Sequence, residues 1–581
     1  MRHRVVSILP VTSGPLARNQ RPAEYAEDDA AATHTQKPIF VGRFASNCER
    51  TDVPTEFSIQ TSMKSDTLLQ SLSAAVFLTL VARLFTFGRG VLLARLLDPA
   101  ELGVWALLIN TVQVLAFVLL LGVPTAMSRY VGKFESRRRL ARFLSGWAIR
   151  IALVAILFAI VTLFWQEDVG QLLFGESVSS ELFVLAIVAT GATIVMLFLQ
   201  GVLHGLRLFR LDSCLDLFHN IGFFVLACVF LLAWRTDAFA CGTAHIAITL
   251  VAAVAIGWFV HRAMRSDDNE DKTHAESEQP SPPTKSKANA VWWTVLLFSL
   301  GTWTAGSLQS LWRYIDRYML LHLSGDESDT VLAQIGEYFI AAKLCQPMTA
   351  IVGMAAVVLV PHMAKAWEEG RRKEVGQTIC FSSKLGAIFL ALTGAGLLLC
   401  KPLLLVLIAG RMPHDASLVM APVVVTMGLV CLHYILRPYL FCSEQAWGIA
   451  IIWAVVLAAN FALNWWLIPQ WGLYGAAVAT MISAIVAAAA TTAMAIWQGL
   501  RPDAGFWLSL PLPLLLLFSP IIYLPALVLW IALAVGTSLI FTTKEKQTLI
   551  DKARGLLDRV APAARLRSIS RRNKEGSNVA T

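Results

Sequence analysis

Arg83, Arg89 and Arg95 lie in the stretch ARLFTFGRGVLLARLLDPAELGVWAL (residues 82–107), an otherwise apolar run in which no acidic residue precedes Asp98. A guanidinium at the centre of a bilayer costs about 2.5–3.5 kcal/mol on insertion scales, so three in one such run require a physical reason. One reason is an aqueous, anion-binding cavity. At about 100° per residue Arg83 and Arg89 stand about 120° apart on a helix, close enough to line one broad wall. The other is a structural pairing with acids or carbonyls of neighbouring helices. From Thr67 to Leu97 the helix would be about 46 Å long against a hydrocarbon core of about 30 Å. Arg95 therefore falls near its outer end, where it could simply snorkel.

A second charged run, SLQSLWRYIDRYMLLHL, carries Arg313, Asp316 and Arg317. Arg313 is three residues from Asp316 and four from Arg317, so they share a helix face. Two readings follow: an ion pair within the helix, or extra positive charge on the same cavity. Arg150, Lys343, Lys384 and Arg437 are further basic candidates. Asp212, Asp216, Glu337 and Glu444 are acids in or beside apolar segments that could balance them or carry a coupled proton. Asp316 of the second charged run and Glu337 are the first candidates for charge balance or ion coupling. His204, His219, His245 and His433 have no metal-ligand spacing and read as helix-contact residues, so no metal site is expected.

The elements that must position these groups are membrane helices. Of 581 residues, 56% are hydrophobic and 15% charged, which excludes an ordinary soluble globular protein. The expected fold is an all-α integral membrane protein with about 14 transmembrane helices. Two six-helix lobes are related by an internal repeat, and two extra helices follow at the C-terminus. The spans expected are 70–97, 101–123, 143–165, 181–204, 214–234, 239–262, 291–312, 334–360, 377–399, 416–437, 446–467, 472–496, 506–522 and 525–542.

Loop charge sets an expected orientation. Segments 129–142, 207–210, 361–375 and the tail from Lys544 are basic, whereas 166–181 and 324–329 are acidic or neutral. By the positive-inside rule both termini are expected in the cytoplasm. The formal charge of +9 comes from loops and tail, which suits anionic headgroups rather than nucleic acid. The nine cysteines are scattered without a C-x-x-C pair and read as small buried hydrophobes.

The duplication appears in matched landmarks. Gly103-Val-Trp105 corresponds to Gly336-Glu-Tyr338, Val123-Pro124 to Val360-Pro361, and Gly242-Thr-Ala244 to Gly475-Ala-Ala477. The separations are nearly constant, and six spans per unit make the repeats parallel, with a substrate path between them. The expected organisation is a disordered cytoplasmic extension over 1–66, a first lobe over 67–265 and a cytoplasmic linker over 266–290. A second lobe follows over 291–500, then two additional helices over 501–543 and a basic cytoplasmic tail over 544–581. Met63 reads as a natural start, which would make residues 1–62 dispensable. Residues 546–563 read as a basic amphipathic helix on the inner leaflet. No nucleotide, hydrolase or metalloprotease signature stands in a suitable context, so no enzyme and no cofactor is expected.

The run LLARLLDPAELGVWAL, with LLLGVPTAMSRYVGKF and LNWWLIPQWGLYGAAVATMIS, resembles the polysaccharide-biosynthesis (O-antigen flippase) family. That family belongs to the superfamily containing multidrug and toxin extruders and lipid II flippases. The resemblance covers about residues 67–500. It implies two lobes around a central cavity, alternating access and a polyprenyl-diphosphate-linked oligosaccharide as substrate, in a bacterial plasma membrane. It implies pyrophosphate contacts at Arg83, Arg89 and Arg95, with Arg313 and Arg317 adding to the cavity. Asp316-Arg317 matches the D-R pattern that opens the second lobe. Membrane lipids, a polysaccharide polymerase, glycosyltransferases and H⁺ or Na⁺ coupling are the implied partners. Such a headgroup suits bidentate guanidinium groups in a partly dehydrated cavity. The rivals are a cation-coupled drug extruder of the same fold, which would want acids where this chain has arginines, and a membrane scaffold without transport.

Overall fold

The computed structural model describes residues 68–124, 137–175, 179–206, 208–265, 285–552 and 554. These lie in one compact unit, Thr61–Thr581. The expected extension over 1–66, most of the linker over 266–290, part of the first basic loop and most of the tail helix fall outside them.

Among the described residues all regular structure is helical. The first half contains α1 (Leu68–Leu96), α2 (Pro99–Leu119), α3 (Arg137–Phe164), α4 (Gln166–Phe174), α5 (Ser180–Gly205), α6 (Phe209–Ala233) and α7 (Ala238–Arg265). The second contains α8 (Lys285–Leu323), α9 (Ser328–Glu368), α10 (Arg372–Leu399), α11 (Lys401–Ala409), α12 (His414–Cys442) and α13 (Ala446–Trp497), followed by α14 (Ala504–Ser509), a 3₁₀ turn (Leu512–Leu517) and α15 (Pro520–Gly536).

The two halves match element by element. Arg137 opens α3 and Arg372 opens α10; α4 and α11 are both nine-residue helices. Each of these short helices stops at a glycine with positive φ, Gly175 at 83° and Gly410 at 71°, a conformation that costs a Cβ-bearing residue. α13 breaks at Gly472 (φ 53°), so its arms correspond to α6 and α7. Pro469 removes a backbone donor just before the break, and Gly475 lets the arms close, since a Cβ there would stand 2.3 Å from the Leu467 carbonyl oxygen.

Ten helices among the described residues are long and apolar enough to cross a membrane. The expected count of fourteen is not reached on that criterion. α13 counts once although it contains two arms, and α8 carries Arg313, Asp316 and Arg317 in its second half. The C-terminal spans are also shorter than expected. Pro511, Pro513, Pro520 and Pro525 confine the region to a six-residue helix, a 3₁₀ turn and the 17-residue α15. At 1.5 Å per residue α15 is about 26 Å long, short of a hydrocarbon core of about 30 Å.

The lobes meet closely where the α1–α2 and α8–α9 loops lie. A Cβ on Gly103 of α2 would stand 1.9 Å from the Leu332 carbonyl oxygen of α9, and one on Gly336 of α9 would stand 2.1 Å from the Pro99 carbonyl oxygen of α2. Glycine is required on both sides for this approach. Around it, Arg95 at the end of α1 donates from Nε (3.2 Å) and Nη2 (2.6 Å) to the Leu407 carbonyl of α11. His322 near the end of α8 places Nε2 2.9 Å from the Leu172 carbonyl of α4. Gly103 and Gly336 are repeat-equivalent, and so are Leu172 and Leu407. The contact thus has pseudo-twofold symmetry.

Elsewhere the predicted helix-contact histidines bridge helices. His219 pairs with Thr249 (3.1 Å), and His433 with Thr491 (2.8 Å) while edging the Trp453 ring. The C-terminal elements are pinned by Lys384 of α10. Its ammonium is fully buried and donates to Asp503 Oδ2 (2.5 Å), both oxygens of Glu545 (3.0 Å each) and the Ile540 carbonyl (3.1 Å). Lys384→Met is expected to destabilise the fold by about 3 kcal/mol, at the low end for a broken buried pair because Asp503 stays part-exposed. Thermal unfolding in detergent checks this. The triple variant with Asp503→Asn and Glu545→Gln should recover most of the loss.

Candidate functional site

Arg83, Thr86 and Gly90 fall along one stripe of α1, with Arg89 beside it. Thr86 is buried and donates to Asn220 Oδ1 of α6 (2.7 Å), and Asn220 Nδ2 donates to the Asp216 carbonyl (2.8 Å) and Oδ1 (3.2 Å). This seam holds α1 on α6, so Arg83 and Arg89 both act electrostatically on Asp216. The Arg89 guanidinium lies 5.0 Å from the Phe223 ring centroid, which fixes its plane. Neither arginine has a carboxylate within 4 Å among the described residues.

The second lobe brings two more cations to the same place. Lys343 of α9 lies against Gly90, where a Cβ would stand 3.2 Å from Lys343 Cδ. Its Nζ is 4.9 Å from the Phe339 centroid and 3.2 Å from Gln346 Oε1. Arg83, Arg89 and Arg317 are all near enough to act on the Lys343 charge. Arg317 is 7% exposed and stacks over Tyr338 (5.0 Å) and Tyr314 (5.4 Å), with its Nε buried and unbonded. Four cations drawn from α1, α8 and α9 therefore gather at the interlobe seam, with the Asn220-bonded carboxylate of Asp216 nearby.

Asp316 is committed elsewhere. At 1% exposure it accepts from the Tyr338 hydroxyl (2.9 Å), the Thr480 hydroxyl (3.2 Å) and the Arg317 backbone N–H (2.9 Å). Behind Thr480 stand Asn460 and Asn464, both fully buried. Asn460 Nδ2 donates to Thr480 and Ser483, and Asn464 Nδ2 donates to Asn460 Oδ1. The Arg313–Asp316 ion pair that their spacing allowed is not formed. Arg313 instead donates to the Tyr434 hydroxyl of α12 (2.9 Å).

The structure thus brings Arg83, Arg89 and Arg317 together, with Asp316 behind them, and places three predicted residues apart. Arg95 joins the contact with α11. Arg313 points to α12. Glu337 caps the N-terminus of α12, accepting from the Asp415 and Ala416 backbone N–H groups (2.7 and 3.2 Å) and from Arg411 (3.1 Å). Lys343 and Asp216 were only two of several charged candidates in the sequence, because spacing along their own helices does not reveal which neighbour they face. The Asn460–Asn464 pair was missed. Two asparagines four apart in AANFALNWW were the available signal.

Two lobes joined by a duplicated contact, with ten helices long and apolar enough to cross a membrane among the described residues, define a multi-pass membrane protein with a cation-rich seam between its lobes. Residues 68–367 match the family described as polysaccharide biosynthesis protein, and the chain belongs to that family. No curated protein matches. Among solved structures the fold is similar to the lipid II flippase MurJ in an inward closed conformation, with a TM-score of 0.59 at 15% identity, covering 83% of this chain and 100% of that one. It is also similar to an inward-facing multidrug resistance MATE family transporter of the MOP superfamily (TM-score 0.51, 13% identity, 74% and 98% covered). A third match is a MOP superfamily transporter from Pyrococcus furiosus described as having a binding pocket of reversed polarity (TM-score 0.50, 13% identity, 74% and 95% covered). At these identities the likeness is one of fold.

Proposed function

We propose that this chain is a flippase that moves a polyprenyl-diphosphate-linked oligosaccharide, the repeat unit of an O-antigen, capsule or exopolysaccharide, across a bacterial plasma membrane by alternating access. The observation that carries this reading is the surplus of cations at the interlobe seam: Arg83, Arg89, Arg317 and Lys343 against Asp216. A doubly charged diphosphate offsets most of that surplus, and guanidinium groups bind it with charge-assisted, bidentate hydrogen bonds. The polyprenyl tail stays in lipid while the headgroup crosses between the lobes, so no covalent chemistry is required. The basic loops support a cytoplasmic position for both termini, so that glycosyltransferases would supply the unit on the cytoplasmic side and a polymerase would take it over on the outer side.

The likeness to a MATE fold supports a drug extruder as the second reading. A cationic drug would, however, meet four like charges at the seam. Proteoliposomes separate the two. Purified protein should scramble a citronellyl-diphosphate-linked disaccharide between leaflets and leave accumulation of ethidium unchanged. Ethidium transport without movement of the diphosphate would overturn the proposal.

Asp316 is the proposed coupling carboxylate, because its three donors come from α8, α9 and α13 and its charge state bears on how those helices pack. Asp316→Asn should keep binding of the lipid diphosphate but remove any stimulation of flipping by an imposed H⁺ or Na⁺ gradient. A variant as gradient-responsive as the wild type would place the coupling elsewhere.

A further inference from the structure

Arg313 sits on the same stripe of α8 as Gly306 and Arg317, seven residues after the one and four before the other. Gly306 meets Phe117 of α2, where a Cβ would stand 2.6 Å from the ring. That stripe therefore faces the first lobe and the space between the lobes. Although it stands in the middle of a long helix, Arg313 keeps part of its surface uncovered by protein. Its one hydrogen bond to a neighbouring helix runs from Nη2 to the Tyr434 hydroxyl at 2.9 Å.

Tyr434 is also approached by Gln309, whose Nε2 lies 3.4 Å from the same oxygen. Arg437, one turn further along α12, places its guanidinium 5.4 Å from the Tyr434 centroid and 5.2 Å from that of Phe441. The charges of Arg313 and Arg437 act on one another. Neither has a carboxylate within 4 Å among the described residues. Because the Tyr434 oxygen accepts from Arg313 and Gln309, its own proton remains available to donate. Two cations and a free O–H donor are thus held around the Tyr434 and Phe441 rings with no carboxylate within 4 Å among the described residues. An unpaired pair of cations inside a membrane protein is costly, and an anionic ligand group removes that cost.

We infer that Arg313, Arg437 and Tyr434 form a second anion subsite, which takes a carboxylate or phosphate carried on the glycan and so makes the substrate an acidic oligosaccharide. Four residues of helix separate Arg313 from Arg317, an axial distance of about 6 Å. That is roughly one sugar residue from the diphosphate. The inference rests on the flippase reading, since it needs the diphosphate at the seam to fix the register.

The test uses full-length protein in nanodiscs and two probes, citronellyl-diphosphate disaccharides that differ only in whether the second sugar is glucose or glucuronic acid. Wild type should bind the acidic probe at least tenfold more tightly. Arg313→Gln with Arg437→Gln should erase that preference and leave the glucose probe unchanged. Tyr434→Phe, which keeps the ring, should lower the preference about threefold. Equal binding of both probes by wild type, or an equal loss for both in the double variant, would overturn the subsite. Arg83→Gln with Arg89→Gln serves as the separate control on the underlying reading: it should weaken both probes alike, and no effect on either would sink the flippase assignment instead.

Discussion

Replacing Arg83 and Arg89 together with glutamine is expected to lower flipping of a lipid-linked diphosphate by a factor of at least about 100 while leaving insertion and folding intact. A hydrogen bond to a charged group contributes about 1.5–3 kcal/mol, so losing two costs about 3–6 kcal/mol, or two to four decades in affinity. The fold should tolerate the change, because neither side chain has a carboxylate within 4 Å that would be stranded. Removing two like charges next to Lys343 and Arg317 even relieves repulsion. The two positions are expected to differ under substitution by lysine. Arg89→Lys loses the planar stacking on Phe223, whereas Arg83→Lys keeps the interaction with Asp216. Both lysine variants should retain more activity than the glutamines, with Arg89→Lys the weaker. Fluorescence-dequenching assays in proteoliposomes measure this, and thermal unfolding in the same detergent checks that the fold is intact. Flipping within a few-fold of wild type in the double glutamine variant would remove the arginines from the substrate path.

These arginines were legible in the sequence because charge in an apolar helix is expensive, so each one marks itself. The duplication was legible for a different reason. Glycines and prolines at close contacts, such as Gly103 and Gly336, resist substitution by anything with a Cβ, so their spacing outlasts the drift of the lipid-facing residues around them. Partners across helices were not legible. Nothing in the local sequence says that Lys343 lies on Gly90, that Glu337 caps α12 or that Arg313 turns to Tyr434, since each depends on how helices far apart in sequence are laid together. The C-terminal spans were overestimated because hydropathy averages over prolines. Pro511 and Pro513 scarcely lower an apolar window, yet each removes a backbone donor and interrupts the helix.

The second large effect is expected at Gly103 and Gly336. With a Cβ only 1.9 Å from the Leu332 carbonyl oxygen or 2.1 Å from that of Pro99, alanine at either position cannot coexist with the present approach of α2 and α9. The overlap is with backbone, so no side chain can turn aside to relieve it, and the helices must separate. Overpacking of this kind costs about 1–3 kcal/mol, which shifts a two-state equilibrium by about 5- to 150-fold. Arg95 and His322 hold the same end through single carbonyl oxygens and would be drawn off Leu407 and Leu172 as the lobes part. Gly103→Ala with Gly336→Ala should therefore favour the state opened at this end. Hydrogen exchange should become at least tenfold faster in the first turns of α2 and α9, and flipping should fall because the carrier no longer returns. Gly191→Ala, where a Cβ meets nothing within 4 Å, is the control and should be silent. Substrate binding separates the effect from misfolding: the alanine variants keep the whole Arg83–Arg89–Arg317–Lys343 cluster and should still bind a lipid diphosphate from the open side. Unchanged exchange at α2 and α9 would mean that this end does not open during the cycle, and a rocking of the two lobes about the seam would have to be given up.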